Sequence, residues 1–284
     1  MCIAKLDHVY KNYGQNEVLH DINISIESGV ILGLVGPNGS GKTTIMKLLS
    51  KLIYPTKGIV FYSQTYSALI ETPSLYENLS GKENLEYFAS LENINNYDID
   101  KIIDCLNMSN FINKQVKKYS LGMKQKLGIA LTLLGNPKLI ILDEPLNGLD
   151  PLSIKEIKDT LKKIKKLRKI SILISSHMLK DLNELCDRVI FIKDGKIVEN
   201  NNLNDNLKKI QICFSNIQDK EKANTLLLHK LIIQEDELSI YINENNDLNQ
   251  ILKLLIDNNI KISEVIKYKN TLEDRYLSTY QEKK

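Results

Sequence analysis

The sequence predicts an α/β fold: a mostly parallel sheet covered by helices, carrying an antiparallel β subdomain and a helical insertion, with a small C-terminal α+β domain after it. Three observations predict it. Short apolar runs at 30–35 and 139–142 read as buried strands, and 171–174 reads as a further strand. Segments of helical period alternate with these runs, the pattern of parallel strands joined by crossover helices. A glycine-rich turn connects the first run to the first helix.

Taken in order, residues 3–10 and 18–27 read as two strands, the second with Ile22, Ile24 and Ile26 at alternate positions. The buried run 30–35 leads through the glycine-rich turn into a helix at 43–52, whose Ile45, Leu48, Leu49 and Leu52 share one face. Residues 55–58 turn the chain into a strand at 59–62. Between 66 and 115 the apolar positions recur at helical spacing, in 85–91 and 99–108, so this stretch reads as the helical insertion. Next come a helix at 120–134, a strand at 139–142, a lysine-rich helix at 151–168, a strand at 171–174, a short helix and a strand pair within 188–198. The basic cluster 162–169 reads as a solvated helix face. Residues 199–206 are nearly all Asn, Asp and Glu, which sets a boundary near Asn204 and divides the chain into 1–204 and 205–284. The tail then reads strand 210–214, helix 220–227, strands 230–234 and 238–242, helix 248–255 and strand 262–268. This β-α-β-β-α-β order is that of a ferredoxin-like unit.

Composition excludes several classes of function. A chain of 284 residues with 43% apolar content can bury a large core without disulfides, so global disorder and a small secreted scaffold are out. Lys and Arg number 38 against 35 Asp and Glu, a net charge of +3, which lacks the concentrated basic field of a nucleic-acid binder. Cys2, Cys105, Cys186 and Cys213 have no metal-ligand spacing and read as free thiols of a reducing compartment. Lys5, Asp7 and His8 interrupt the N-terminus before any apolar signal core could form. No run approaches the roughly 18 apolar residues of a membrane span. The expectation is a cytoplasmic chain that meets the membrane only through a partner.

The chemistry lies in two motifs. Gly36, Pro37, Asn38, Gly39, Ser40, Gly41, Lys42 and Thr43, with Thr44 next, fit G-x-x-x-x-G-K-[ST] between a buried strand and a helix. Glycines let backbone N–H groups wrap phosphate oxygens, and the helix N-terminus adds positive potential. Lys42 is placed to reach the β- and γ-phosphates of a nucleotide and Thr43 to hold Mg²⁺. Asp143 and Glu144 end the apolar run 139–142, so a strand delivers two carboxylates to the carboxyl edge of a parallel sheet, where α/β ligands bind. Asp143 would hold Mg²⁺ directly or through water, and Glu144 would polarise the attacking water.

A third motif carries a family resemblance. Tyr119, Ser120, Leu121, Gly122, Met123, Lys124 and Gln125 resemble the L-S-G-G-Q signature of ATP-binding cassette (ABC) ATPases, with Leu121 and Met123 where Gly and Gln are usual. The resemblance runs from Leu6 to about Val198 in the family's order. It implies that Tyr13 stacks on adenine, that Ser120 and Gly122 contact the nucleotide of a second subunit, that Asp150 belongs to the D-loop, and that His177 senses the γ-phosphate. Glu71 occupies the place of the family's usual Q-loop glutamine, which implies contact with nucleotide and Mg²⁺. Residues 70–76 and 79–85, with Thr271, Leu272, Glu273 and Asp274 near the end, look like the bacitracin-resistance and lantibiotic-immunity exporters. This resemblance implies an ATPase that binds ATP and Mg²⁺, pairs head-to-tail with a second ABC subunit, and drives separate membrane permease subunits, with peptide-antibiotic export as its purpose. An importer ATPase with a regulatory tail, or a non-transport ABC ATPase, is the alternative.

Overall fold

Alternation in the first thirty residues builds two long strands. Leu6 and Val9 of β1 (Cys2–Tyr13) and Leu19, Ile22, Ile24 and Ile26 of β2 (Asn16–Glu27) are all buried, while most residues between them are more exposed. In the computed structural model, which describes residues 1–91, 93–94, 96–202, 209–227, 232–243, 247–268 and 276, these strands pair antiparallel. A second sheet starts with β3 (Ile31–Val35). The chain then returns to the first sheet with β4 (Lys57–Tyr62), which pairs antiparallel with β1 to give the order β2-β1-β4. The second sheet continues with β5 (Tyr66–Leu69), β6 (Leu139–Leu142), β7 (Ser171–Ser175), β8 (Arg188–Lys193) and β9 (Lys196–Asn202). Its order is β5-β6-β7-β3-β8-β9, parallel throughout except for β9, which runs antiparallel to β8. Every residue of β3, β6 and β7 is buried, as the apolar runs of β3 and β6 and the Ile172–Ile174 centre of β7 require. The two sheets share one core, in which Leu6 and Ile24 join Leu32, Met46, Ile141 and Leu173.

Helices connect the parallel strands: α1 (Lys42–Leu49), α2 (Gly81–Leu91), α3 (Asn96–Cys105), α4 (Leu121–Thr132), α5 (Pro151–Arg168) and α6 (Leu179–Leu185). Their starts obey local chemistry. Ser80 and Glu83 form a capping box before α2, with Ser80 N–H donating to Glu83 Oε2 at 2.6 Å and Glu83 N–H donating to Ser80 Oγ at 3.2 Å. α5 opens on Asp150 as N-cap with Pro151 in its first turn. The buried Lys158 of α5 ties it to α6 through Asp181 Oδ1 at 2.7 Å and Glu184 Oε2 at 2.5 Å.

Four sequence expectations need correction. The helical insertion does not begin at Tyr66: residues 66–69 are β5, paired from Tyr66↔Leu139 to Leu69↔Leu142. Four residues with no β-branched side chain announce no strand on their own; the ladder offered by β6 makes one. The polar stretch from Glu199 is not wholly linker, because β9 continues to Asn202 opposite Arg188. β9 is an edge strand of its sheet. The helix expected over 99–108 ends at Cys105, and that over 43–52 at Leu49, where Lys51 turns left-handed (φ 54°).

The chain divides into two compact units, Met1–Leu203 and Asn204–Lys284. The second contains β10 (Lys209–Phe214), α7 (Ile217–Leu226), β11 (Ile232–Glu235), β12 (Ser239–Asn243), α8 (Leu248–Asp257) and β13 (Ile262–Tyr268). Its antiparallel sheet has the order β11-β12-β10-β13, with a core of its own built on Ile210, Ile212, Phe214, Ile240, Ile242 and Leu255. The Thr271–Asp274 motif and Lys230, the first residue of one expected tail strand, lie outside the described residues. Among the described residues no helix is long and apolar enough to cross a membrane.

Candidate nucleotide-binding site

β6, β7 and β3 are neighbours in the sheet, so their carboxyl ends bring three sequence-distant segments to one edge. That edge is where open α/β sheets bind ligands. The loop after β3 leads into α1 through Gly41, whose φ of 108° and close approach to Leu19 (a Cβ there would lie 2.5 Å from Leu19 Cδ2) leave room for glycine alone. Lys42 is buried, and its Nζ donates to Gly36 O at 2.7 Å and Pro37 O at 3.1 Å. No carboxylate among the described residues lies within salt-bridge distance of it. Burial therefore pulls its ammonium below the usual lysine range, with Glu144 and Asp143 pulling back from a distance. The result is a buried cation held ready for an anion. Ser40 Oγ, in the same loop, is buried without a hydrogen-bond partner among the described residues.

A cleft of about 400 Å³ opens over this loop. Asn38, Gly39, Gly41, Lys42, Thr43 and Thr44 form its floor, and Tyr13, Val18 and Glu144 its walls. The Tyr13 ring is half exposed, with Lys11 Nζ 5.0 Å from its centroid. Behind the floor, Thr43 Oγ1 donates to Asp143 Oδ2 at 3.0 Å. Ser175 Oγ donates to Asp143 Oδ1 at 2.6 Å and accepts the Glu144 N–H at 2.8 Å. Glu144 stands in the left-handed region (φ 48°), and its Oε2 lies 2.9 Å from His177 Nδ1. Phosphate-loop residues, both acids, His177 and Tyr13 are thus brought together.

The remaining expected site residues lie apart from the cleft. Glu71 (φ 65°) pairs with Lys47 Nζ of α1 at 2.9 Å instead of with Thr43 or Asp143, and this hydrogen bond holds the Lys47 ammonium above its usual value. Ser120 is the N-cap of α4, accepting the Met123 N–H at 3.3 Å. Gly122 sits so close to α5 that a Cβ would fall 2.7 Å from Ser153 Oγ. Asp150 accepts from Leu152 N–H, Ser153 N–H and Ser153 Oγ, the last at 2.6 Å, and the Ser153 hydroxyl chiefly holds its carboxyl below the usual range. Sequence reasoning missed Ser175, Lys47 and Val18. For Ser175 a signal existed: a polar residue following three apolar ones at the carboxyl end of a buried strand, two positions before His177.

The chemistry present fits Mg²⁺. Thr43, which lines the cleft, and Asp143 behind it, 3.0 Å from Thr43 Oγ1, offer hard oxygen donors, and Mg²⁺ takes only one or two protein ligands when it also holds substrate phosphates. The described residues contain no cluster of three or more His, Cys, Asp or Glu, so they offer no all-protein cage.

Fold and site together define an ATP-binding cassette. The family model described as ABC transporter matches residues 19–147. A lantibiotic transport ATP-binding protein, SrtF of Streptococcus pyogenes, is 38% identical over 205 residues, 69% of this chain and 89% of that protein. The bacitracin transport ATP-binding protein BcrA of Bacillus licheniformis is 34% identical over 295 residues, covering 97% of this chain and 96% of its own. A solved ATP-binding subunit of an ABC transporter superposes with a TM-score of 0.64 at 26% identity, over 72% of this chain and 91% of that one. The chain belongs to the ABC transporter family of ATP-binding proteins, and it is an ATP-hydrolysing subunit of an ABC transporter.

Proposed function

We propose that this subunit powers export of a peptide antibiotic through a separate membrane permease, protecting the cell that makes it. The observation that carries this reading is the 34% identity to a bacitracin transport subunit along nearly the whole chain, tail included. Its test is co-purification from membranes. Multi-span permease subunits that also retain a bacitracin-like or lantibiotic peptide support it; a permease that copurifies with an extracellular solute-binding protein, or ribosomes, would overturn it.

In the proposed mechanism Tyr13 stacks on adenine, and the backbone N–H groups of Asn38–Gly41 wrap the β-phosphate. Lys42 exchanges its two carbonyl partners for β- and γ-phosphate oxygens, and Thr43 and Asp143 are the residues that would hold Mg²⁺. Glu144 accepts a proton from water as the water oxygen bonds to the γ-phosphorus and the bridging P–O bond to ADP breaks. His177 contacts the γ-phosphate and orients Glu144 through their 2.9 Å contact. Bound Mg²⁺ would supply charge neutralisation of the phosphates. Ser120, Gly122 and Asp150 do not line the cleft of their own chain, which supports a head-to-tail dimer in which a second ABC subunit brings its signature helix to this nucleotide.

Glu71 couples the cleft to the permease through Lys47, one helical turn from Thr43 on α1. Glu71→Gln removes the charge but not the side chain's reach. It is expected to keep most ATPase activity in the isolated subunit and to alter transport across a Mg²⁺ titration once the permease is present; equal transport by both proteins counts against the coupling role. The second unit we read as a ferredoxin-like accessory domain, since its sheet and core are self-contained. A fragment of residues 1–206 is expected to bind a fluorescent ATP analogue as the full chain does, and an insoluble or non-binding fragment contradicts this.

A further inference from the structure

Ser175 closes β7 behind the cleft, with no exposed surface, and touches both acids of the site. Its single hydroxyl makes two bonds, donating to Asp143 Oδ1 at 2.6 Å and accepting the Glu144 N–H at 2.8 Å. A hydroxyl has one proton and two lone pairs, so both bonds are satisfied at once.

We propose that Ser175 is the positioning residue of the metal aspartate and of the general base. The bond to Oδ1 fixes the carboxylate torsion of Asp143 and so aims Oδ2 at Thr43 Oγ1, 3.0 Å away. The second bond captures the N–H of a residue in the left-handed region (φ 48°), a conformation that non-glycine side chains adopt only when their surroundings impose it. Glu144 is thereby held in the turn that carries its carboxylate to His177 Nδ1. One hydroxyl thus sets the metal-binding oxygen and the base relative to each other, across the gap between β6 and β7. Partners of this kind, which touch a metal ligand and not the metal, are typically worth 10–100-fold in metal affinity. The proposal rests on reading this cleft as the nucleotide site.

The test uses Ser175→Val and Ser175→Thr in the full chain, two variants of nearly equal shape that differ in the hydroxyl. Binding of a fluorescent ATP analogue is titrated with Mg²⁺, and in parallel measured in excess chelator, where Ser175 has no metal ligand to position and binding reports folding. For Ser175→Val the half-saturating Mg²⁺ concentration is expected to rise about 10–100-fold while metal-free nucleotide affinity stays as in the wild type. Ser175→Thr is expected to restore the wild-type Mg²⁺ midpoint. A wild-type midpoint in Ser175→Val overturns the proposal, and so does an equal shift in both variants, since that would make the site sensitive to volume and not to the hydroxyl. Loss of metal-free binding in Ser175→Val alone would assign Ser175 to folding and overturn the proposal as well. If the wild-type protein binds no analogue with or without Mg²⁺, the nucleotide-site reading fails, which is a different result from any of these; binding by the wild type that does not respond to Mg²⁺ overturns the proposal.

Discussion

Replacing Glu144 by glutamine is expected to slow ATP hydrolysis by about 10²–10⁴, the usual worth of a positioned general base, and to leave ATP bound. The amide keeps the size of the side chain but cannot take a proton from water, while the phosphate loop, Lys42 and Thr43 are untouched. Lys42→Ala is expected to behave in the opposite sense. It removes the buried cation whose partners are the carbonyls of Gly36 and Pro37, so nucleotide affinity falls before chemistry is reached. Equilibrium titration with a fluorescent nucleotide beside single-turnover hydrolysis separates the two. Equal loss of affinity in both variants would show that binding and chemistry are not divided between these residues.

The second large effect is on stability. Lys158→Met is expected to cost about 3–5 kcal/mol, the usual penalty for stripping one partner from a buried ion pair. Asp181 is then left nearly buried with no cation, since its Oδ1 lies 2.7 Å from Lys158 Nζ and its side chain is only 12% exposed. For a unit of about 200 residues this corresponds to a fall in Tm on the order of 10 °C. A loss below about 1 kcal/mol by chemical denaturation, the scale of an exposed pair, would mean that water or another cation replaces the ammonium. The same pair predicts the alkaline limit. Burial works against the Lys158 charge, but its hydrogen bonds to Asp181 and Glu184 outweigh it and raise the ammonium above its usual value. A raised lysine contributes stability that is complete below the ordinary lysine range, about 10.4, and is lost as pH rises through the higher folded value. Thermal melts from neutral pH to beyond the ordinary lysine range are therefore expected to show a steeper alkaline decline in the wild type than in Lys158→Met.

How much of the fold and site was legible depends on whether a feature is local in the chain. The phosphate loop, Asp143 and Glu144 are contiguous strings whose chemistry is fixed by neighbours one or two residues away, and the strands that present them are unbroken apolar runs. β5 was not legible because Tyr66, Ser67, Ala68 and Leu69 become a strand only beside β6. The end of β9 was hidden for the converse reason: Asn200, Asn201 and Asn202 have the composition of a linker, and only the ladder of β8 holds them extended. Ser175 and Lys47 escaped notice because their partners are more than twenty residues away in sequence and meet them through the order of the sheet. The position of Glu71 in the chain was plain, but its partner was not: the expectation looked to a metal, and the fold supplies an ammonium from α1.

Antibiotic susceptibility measures most directly whether ATP hydrolysis at this cleft drives expulsion of a peptide antibiotic through a partner permease. Cells would carry the chain with the permease that copurifies with it, and bacitracin and a lantibiotic would each be titrated. The wild-type chain is predicted to raise the minimum inhibitory concentration of at least one of them, and Glu144→Gln at equal expression is predicted to leave it at the level of cells with permease alone. Equal protection by both proteins, or none by the wild type against either peptide, would contradict the account.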